Sequence, residues 1–342
     1  MAIWLGEFSM TRSIQCGGVW TLLCLGLGLA IANIVAADGR AAEVRTLRIA
    51  ADDNLVQIEA VEVDTSNATP LLKYWREKPK DTKLAAESGC FFHPLCTPDG
   101  HTVTDLAPDD HPHHRGVFLA FVEMRGAKLD ADFWGWGAHA PIEGRRIVNV
   151  DKAVTELDAQ AITTTFDNAW KVGDTVLLGE RLAARTRALR EANVLDLEYR
   201  LTPREDIRLP QWAFSGFCVR LRKDGKIVYT SPKGAVDLPP LDHMKPELDW
   251  PAEAWYDATM TLEGGKQVGV AVVDHPANPP CLWHNESRIH MLNPCIVAPG
   301  EVKLTAGKPL VLSYRLVVHD GPVPVELIEK LAKEFRAAKR AE

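Results

Sequence analysis

The sequence predicts an all-β protein, a large antiparallel β-sandwich that carries one α-helix at its C-terminus. Three observations support this fold class. Apolar and polar residues alternate with a period of two through most of the chain, helical periodicity is confined to the C-terminal end, and turn signals separate the alternating segments. Strands that follow one another without intervening helices favour an antiparallel sandwich over a parallel β-α-β fold.

About ten segments carry this alternation. The clearest is LDLEYRL at residues 195–201, where apolar side chains face one side and charged side chains face the other. Turn signals such as Asp224-Gly225 and Pro299-Gly300 separate the segments. The other predicted strands lie at residues 47–49, 56–63, 117–122, 147–154, 162–166, 176–182, 217–221, 268–272 and 310–318.

The predicted helix lies near the end of the chain. Leu327, Ile328, Leu331 and Phe335 fall on one face of a segment that is otherwise rich in Glu, Lys and Arg. Pro324 suits the first turn of a helix, where its missing N–H is not needed. The Pro-rich stretch at residues 239–251 predicts instead a long surface loop that covers a cleft.

The N-terminus predicts a targeting segment. Residues 17–37 are an apolar run that follows Arg12, and Val35-Ala36-Ala37 before Asp38 provides the small residues of a cleavage site. We therefore expect residues 1–37 to be a signal peptide or an uncleaved N-terminal anchor. Residues 38–342 then form a single β-sandwich domain that is exported to the periplasm or beyond the cell, and the membrane is contacted only through an uncleaved N-terminal segment.

Net charge and cysteine content indicate which partners and which cross-links the protein can have. The net charge of −7 leaves no basic surface for nucleic acid, so we expect no nucleic-acid partner. Export permits disulfides, and Cys90–Cys96 and Cys281–Cys295 are close enough in sequence to form them. With Cys218 the number of cysteines after residue 37 is odd, which leaves at least one unpaired thiol.

Two loop regions are rich in chemically active side chains. The first, at residues 93–139, contains the heptad DHPHHRG at residues 110–116, and the second, at residues 274–295, contains DHPANP. Each has an Asp-His-Pro tripeptide and a nearby tryptophan. Proline stiffens the segment around it, which suits groups that must be held towards a ligand. We expect the two loops to form one composite site.

The leading hypothesis is an acid/base site, in which a histidine with a near-neutral pKa is oriented by a carboxylate. The predicted catalytic residues are His111, His113, His114, Asp110 and Asp274. Indole rings provide faces on which a sugar ring can stack, and polar groups contact its oxygens. The predicted substrate-binding residues are Arg115, Trp134, Trp136, His139, His275, Asn278, Trp283, His284 and Asn293.

Three alternatives remain open. In the first, the heptad is a hydrogen-bonded structural loop. In the second, its histidines bind a divalent metal together with His275 or His284, and the protein is an oxidoreductase or hydrolase. In the third, the protein binds glycans without turnover. In an extended segment His111 and His113 share a face and His114 points away. The carboxylate expected after such a pair in a cupin-like site is Glu123, which is too distant in sequence. No cofactor is therefore predicted, and a metal at the histidines is the alternative.

The motifs of both loops resemble those of the PmoA-like family, which is named after a methane oxygenase subunit and has no established activity. The matching segments are HPL at residues 93–95, TPDG at 97–100, VTD at 103–105, DHPHHRG at 110–116, DFW at 132–134, GVAVVDHPANP at 269–279, WH at 283–284, LNP at 292–294 and YRLVVHDG at 314–321. Val117-Phe118 departs from the family, where a Trp-Phe pair is usual.

The resemblance implies a β-sandwich similar to the galactose-mutarotase superfamily, in which histidine and carboxylate groups act on sugars. A methane oxygenase subunit crosses the membrane several times, whereas this chain has one N-terminal apolar segment. The sequence thus predicts an exported carbohydrate-active protein with a small-molecule carbohydrate as its partner. Epimerisation, elimination and hydrolysis are all compatible with the predicted site.

Overall fold

The computed structural model of the protein describes residues 45–61, 67–151, 153–158 and 160–340, and the backbone of two short N-terminal strands. The predicted leader at residues 1–37 and its cleavage site lie outside the described residues, apart from the backbone of those two strands. The strands are β1 (Trp20–Leu22), β2 (Ala30–Ile31), β3 (Thr46–Ala51), β4 (Leu55–Val61), β5 (Ala68–Trp75), β6 (Phe91–Leu95), β7 (Val117–Ala120), β8 (Met124–Arg125), β9 (Asp130–Ala131), β10 (Arg145–Asn149), β11 (Val154–Leu157), β12 (Ile162–Val172), β13 (Thr175–Ala188), β14 (Ala192–Pro203), β15 (Ile207–Leu209), β16 (Gly216–Arg220), β17 (Gly225–Ser231), β18 (Gly234–Ala235), β19 (Trp255–Leu262), β20 (Gln267–Asp274), β21 (Leu282–Trp283), β22 (Met291–Leu292), β23 (Pro294–Cys295), β24 (Val302–Leu304) and β25 (Leu310–Asp320).

The larger sheet follows the order β1-β11-β12-β13-β14-β25-β20-β19-β17-β18, with β10 beside β12. Its pairings are antiparallel, as the alternation predicts. In β14 the side chains of Leu195, Leu197, Tyr199 and Leu201 are buried, and the charged residues between them are half-buried. Period-two alternation therefore places one face of this sheet against the core.

The second sheet follows the order β2-β3-β4-β5-β6-β7-β16-β22 and packs on the first. Tyr74 of β5 stacks on Phe166 of β12 with ring centroids 3.9 Å apart, and Phe217 of β16 stacks on Tyr314 of β25 at 4.1 Å. These rings belong to one continuous apolar core between the two sheets. Two smaller antiparallel sheets, β24-β15-β8-β9 and β21-β23, complete the described part of the fold.

The helix α1 (Val325–Ala337) packs on the outer face of the larger sheet. Its buried side chains Ile328, Leu331 and Phe335 join an apolar cluster with Trp255 and Val317. Pro324 lies at the N-cap position, one residue before the predicted first turn. No helix within the described residues is long and apolar enough to cross a membrane.

The predicted class, an all-β antiparallel sandwich with a C-terminal helix, is confirmed, and each predicted alternating segment overlaps a strand. Strand β19 was not predicted, although its residues from Tyr256 to Leu262 alternate between apolar and polar, and its polar Asp257 and Thr259 are buried as well. His93-Pro94-Leu95, expected in a loop, belongs to β6.

The five cysteines of the described chain are buried, unpaired thiols. Neither of the two considered disulfides forms, and burial raises the pKa of Cys90 and Cys281. These residues act as small apolar side chains of the core.

Candidate functional site

A cavity of about 450 Å³ lies where the two chemically rich loop regions meet, within the size range of small-molecule sites. Three groups of side chains form its wall: imidazoles, aromatic rings and charged groups. The residues that border it are Asp110, His111, His113, His114, Trp134, Trp136, Phe214, Lys223, His243, His284, Glu286, Arg288, Ile289 and Met291.

The DHPHHRG heptad forms a turn and is not extended. The His114 N–H donates to the His111 carbonyl at 2.9 Å, with Pro112 between them, as in a β-turn. The imidazoles of His111 and His114 consequently stack at 4.9 Å, and His113 meets His114 edge-on at 4.6 Å. The expectation that His114 points away from the other two is wrong, because the turn brings all three rings to the same cavity.

Asp110 is fixed by two cations. Its carboxylate accepts a hydrogen bond from Arg220 Nη2 and one from Lys223 Nζ, each at 2.8 Å, and lies 3.4 Å from His111 Nδ1. Burial alone would raise its pKa, but the Lys223 hydrogen bond and the Arg220 charge outweigh burial and hold the pKa well below its usual range. Asp110 is thus a permanent anion at the start of the turn.

The three histidines of the turn are held in the neutral form. Burial is the largest cause of the lowered pKa at each, followed by nearby positive charge, and the pKa of His113 falls to about 3. A group with so low a pKa is a weak base near pH 7. His111 is the most open of the three and has Asp110 beside it, which opposes the fall of its pKa.

Arg115 joins the heptad to the tryptophan loop. Its fully buried guanidinium donates to the carbonyls of His113, Phe133 and Trp134 at 3.1–3.3 Å and lies 4.5 Å above the Phe118 ring. Burial lowers its pKa to about 10. With no exposed surface, Arg115 is placed to hold the site together. This differs from the predicted role of Arg115 as a substrate-binding residue.

The tryptophan loop is fixed by Asp132. Its carboxylate accepts the N–H groups of Gly135 at 2.7 Å and Gly137 at 2.6 Å, and burial raises its pKa to about 6. Gly135 has φ of +101°, and a Cβ at this position would lie 2.9 Å from the His113 Cβ. The glycine therefore lets Trp136 and the histidine turn approach each other closely.

Aromatic rings connect the histidine turn to the second loop. Successive ring centroids lie 5.5 Å apart for His114 and Trp134, 5.7 Å for Trp134 and Phe214, and 5.6 Å for Phe214 and His284. Trp136 packs on Phe214 at 5.1 Å. This aromatic wall provides apolar faces suited to a sugar ring.

His284 forms a buried pair with Asp249. Nδ1 of His284 lies 2.6 Å from Asp249 Oδ1, and the two side chains are exposed by only 3% and 0%. Burial raises the pKa of Asp249, while the hydrogen bond to His284 opposes that rise. Because Nδ1 is engaged by the carboxylate, Nε2 is the nitrogen left for a ligand, the arrangement of an oriented acid/base histidine.

Sequence reasoning missed Asp249, although a signal was present. It lies at the end of the Pro-rich stretch that was expected to cover a cleft, and Trp250 beyond it exchanges backbone hydrogen bonds with Trp283 at 2.9 Å. Phe214, Lys223, His243, Glu286 and Arg288 were also missed. Glu286 and Arg288 fall inside the second loop region and form a charged pair, with Arg288 Nη2 2.7 Å from Glu286 Oε2.

The second loop region is divided between the cavity and the C-terminal helix. Asp274, His275 and Asn278 do not border the cavity. His275 Nε2 lies 3.2 Å from the Ala338 carbonyl, and Asn278 Nδ2 donates to Asp274 Oδ1 at 2.7 Å. Arg336 donates to the Asp274 carbonyl, and burial raises the pKa of the Asp274 carboxyl to about 6. The DHPANP segment therefore anchors the C-terminal helix, and of the site residues predicted in this region only His284 borders the cavity.

Three other predicted contacts lie behind or beside the cavity. Trp283 is fully buried, with its ring 5.0 Å from Tyr256. Asn293 donates to the Ser215 carbonyl at 3.0 Å, and its own carbonyl accepts the His284 N–H at 2.9 Å, so it positions His284. His139 is exposed and stacks against Trp212 at 4.1 Å, outside the cavity wall.

The geometry does not favour the metal alternative at the histidine turn. In the described parts of the chain, the three residues whose ligand atoms lie within 4.8 Å of one another are Asp99, His101 and Asp320. Lys266 Nζ already lies 2.7 Å from Asp99 and 3.3 Å from Asp320, which supplies positive charge to both carboxylates. The cavity histidines form no such group.

The chain belongs to a family of unknown function, DUF6807, whose profile matches residues 60–333. No curated protein matches it in sequence.

Among solved structures, a proposed aldose 1-epimerase from Klebsiella pneumoniae is similar at 7% identity, with 86% of this chain and 85% of that chain covered and a TM-score of 0.36. A galactose mutarotase related enzyme from Lactobacillus acidophilus is similar at 7% identity, with 79% and 96% covered and a TM-score of 0.36. A family 36 α-galactosidase from Geobacillus stearothermophilus is similar at 8% identity and a TM-score of 0.35, with 80% of this chain covering 40% of the galactosidase. TM-scores this low carry no weight for function, which has to be inferred from the residues of the cavity.

Proposed function

We propose that the protein is a carbohydrate-active enzyme in which His284, oriented by Asp249, transfers a proton to or from a sugar in the cavity. The observation that supports this is the buried 2.6 Å contact between His284 Nδ1 and Asp249 at the wall of a cavity that also presents tryptophan and phenylalanine rings. Among the cavity imidazoles, His284 is the one held by a buried carboxylate, as a general base requires.

In this proposal each part of the cavity has one task. The sugar ring lies against Trp136 and Phe214, and His111 and Lys223 contact its oxygens. Nε2 of His284 accepts a proton from a sugar hydroxyl or an acidic C–H, and the Asp249 carboxylate stabilises the imidazolium that results. For epimerisation at the anomeric carbon, His284 takes the proton of the C1 hydroxyl while the ring oxygen receives a proton from solvent and the C1–O5 bond breaks. Rotation about the C1–C2 bond and reclosure on the other face reverse both proton transfers, so the sugar is the only reactant, whereas hydrolysis consumes one water.

The reaction type stays open between epimerisation, elimination and hydrolysis, since each begins with such a proton transfer. The site differs from the predicted one in its base. The turn histidines His113 and His114 have pKa values lowered by burial and serve better as neutral hydrogen-bonding groups.

Three sequence-based expectations belong to this proposal. We expect the protein to be exported, with residues 1–37 as signal peptide or anchor. We expect residues 38–342 to act as one domain. The resemblance to the PmoA-like family stays a prediction. The support is the apolar run before Asp38 and the motifs of the two loops. Mass spectrometry of the secreted protein would find Asp38 at the N-terminus if the segment is cleaved as predicted.

Incubation of the full chain with a panel of aldoses, alkyl glycosides and nitrophenyl glycosides, followed by proton NMR, tests the function. Anomeric protons report epimerisation and hydrolysis, and new alkene protons report elimination. We expect His284→Gln to reduce turnover by about 10²–10⁴-fold.

His101→Gln is the matched control, since His101 does not border the cavity. Unchanged turnover in His284→Gln would refute the assignment of the base. Binding of sugars without turnover by the wild-type protein would instead favour the glycan-binding alternative.

A further inference from the structure

Cations lie at one end of the cavity, and the buried carboxylate of Asp249 lies behind the other end. At the histidine turn, Lys223 borders the cavity, and the fully buried guanidinium groups of Arg115 and Arg220 lie behind it. The carboxylates at this end are Asp105, Asp110 and Asp132, which balance the three cations in number, and Lys223 is the cation that borders the cavity. The turn histidines are neutral and do not change this balance.

The opposite end carries the proposed base. Among the described residues, the Asp249 carboxylate has the imidazole of His284 as its one hydrogen-bond partner, while the carboxylate of Glu286 is paired with Arg288. Trp134 and Phe214 lie between the two ends, in consecutive ring contact from His114 to His284. The ammonium group of Lys223 and the His284–Asp249 pair therefore lie at opposite ends of the aromatic wall on which a sugar ring would rest.

Two hydrogen-bond donors at the positive end are incompletely used. Lys223 Nζ makes one hydrogen bond, to Asp110, and an ammonium group has three protons to donate. The indole N–H of Trp134, a fully buried residue at the cavity wall, has no hydrogen-bond partner among the residues that the structure describes. A buried donor without a partner is unfavourable, and a ligand oxygen at this wall would satisfy it.

We propose that the substrate is an acidic sugar, a uronic acid or its glycoside, whose carboxylate binds beside Lys223 at the histidine turn. The carboxylate accepts the free protons of the ammonium group in charge-assisted hydrogen bonds. This orientation places the ring on the aromatic wall and its far side near His284. The inference rests on the proposed function, because it names the substrate class of the same site.

Isothermal titration calorimetry on the full chain tests the inference with matched pairs of ligands. Methyl glucuronoside is compared with methyl glucoside and with the methyl ester of the glucuronoside, which keeps the ring and removes the charge. Pairs of galacto and manno configuration are measured as well. We expect the wild-type protein to bind the charged member of at least one pair about tenfold more tightly at low ionic strength.

Lys223→Met should remove this preference by lowering the affinity for the charged glycoside about tenfold more than that for the neutral glycoside. Asp110 keeps its hydrogen bond from Arg220, so the histidine turn stays in place. Lys303→Met is the control, because Lys303 is an exposed lysine near a carboxylate in another sheet. Equal affinity for charged and neutral ligands, or a preference that survives Lys223→Met, would overturn the inference.

The outcomes separate this inference from the proposed function. Turnover of neutral sugars that depends on His284, without preference for uronosides, would refute only the acidic substrate. Absence of binding for every member of the panel would refute both.

Discussion

The pair formed by His284 and Asp249 allows the sharpest test, through the substitution Asp249→Asn. The carboxylate accepts a 2.6 Å hydrogen bond from Nδ1 and has no other cation beside it within hydrogen-bond distance among the described residues. An asparagine of the same shape removes the charge and can present its N–H₂ group to Nδ1. That contact would favour the other imidazole tautomer, with the proton on Nε2, where the proposed base must accept one.

The expected loss follows from the geometry. A hydrogen bond to a charged group contributes about 1.5–3 kcal/mol, and each ~1.4 kcal/mol of barrier is tenfold in rate. Loss of orientation alone thus costs about 10- to 150-fold, and the wrong tautomer brings the total to about 10²–10⁴-fold in kcat. KM should change little, because Asp249 is fully buried behind His284 and does not border the cavity.

The stability of the Asp249→Asn variant should not fall with its activity. Burial raises the pKa of Asp249, so the folded state favours its protonated form, and this contribution to stability is lost as pH rises from the unfolded pKa through the raised folded pKa. Asparagine has no such dependence. The melting temperature of Asp249→Asn at pH 7 should therefore equal or exceed that of the wild-type protein.

Two measurements test the predicted effect of Asp249→Asn, one on the protein alone and one with a substrate. Long-range proton–nitrogen correlation NMR assigns the imidazole tautomer of His284 directly in both proteins, and turnover is measured on whichever sugar the wild-type protein converts. The reasoning fails if the tautomer and the rate are both unchanged, or if the loss of activity is matched by a lower melting temperature.

Three further predictions concern the frame of the site. Gly116→Ala should destabilise the fold by about 3 kcal/mol or more in urea unfolding, because the added Cβ would lie 2.1 Å from the Phe92 carbonyl oxygen. Gly173→Ala, with nearly the same positive φ but open space around it, should cost only about 1 kcal/mol. Similar losses in the two variants would contradict the steric cause. Burial raises the pKa of Glu180 from 4.5 to about 7, so the free energy of unfolding should fall by up to about 3 kcal/mol as the pH rises from 4.5 to 7. A Glu180→Gln variant that shows the same fall would refute this. Arg115→Met should lower the free energy of unfolding by about 3 kcal/mol and weaken sugar binding as well, since three backbone carbonyls lose their donor. If the variant is destabilised but binds sugar as the wild-type protein does, the guanidinium does not position the site.

The sequence was sufficient for the fold class because alternation reports burial on one face of a strand, as in β14. Alternation in sequence does not report the burial of polar residues, however: β19 alternates from Tyr256 to Leu262, yet its polar Asp257 and Thr259 are buried. The site was predicted in part for a related reason. Residue types identify chemically active loops, and the histidine turn and His284 do meet at one cavity.

What the sequence does not contain is the partner of each group in space. Asp249 is 35 residues from His284, in a stretch with no repeated pattern, so nothing local connects the two. The motif DHPANP has the same residue types as the first loop, yet its polar groups are used on the C-terminal helix, as the contact of His275 with Ala338 shows. Similar tripeptides thus border the cavity in one place and anchor the C-terminal helix in the other.

The order of strands in the larger sheet has a consequence for how the chain is made. Strand β25 lies between β14 and β20, although it comes after both along the chain. Until residues 310–320 are available, β14 and β20 each have an unpaired edge, and the two halves of the sheet have no backbone hydrogen bonds between them. Contacts so distant in sequence form slowly. The larger sheet should therefore stay open until residues 310–320 have been synthesised, which makes truncations before β25 prone to aggregate.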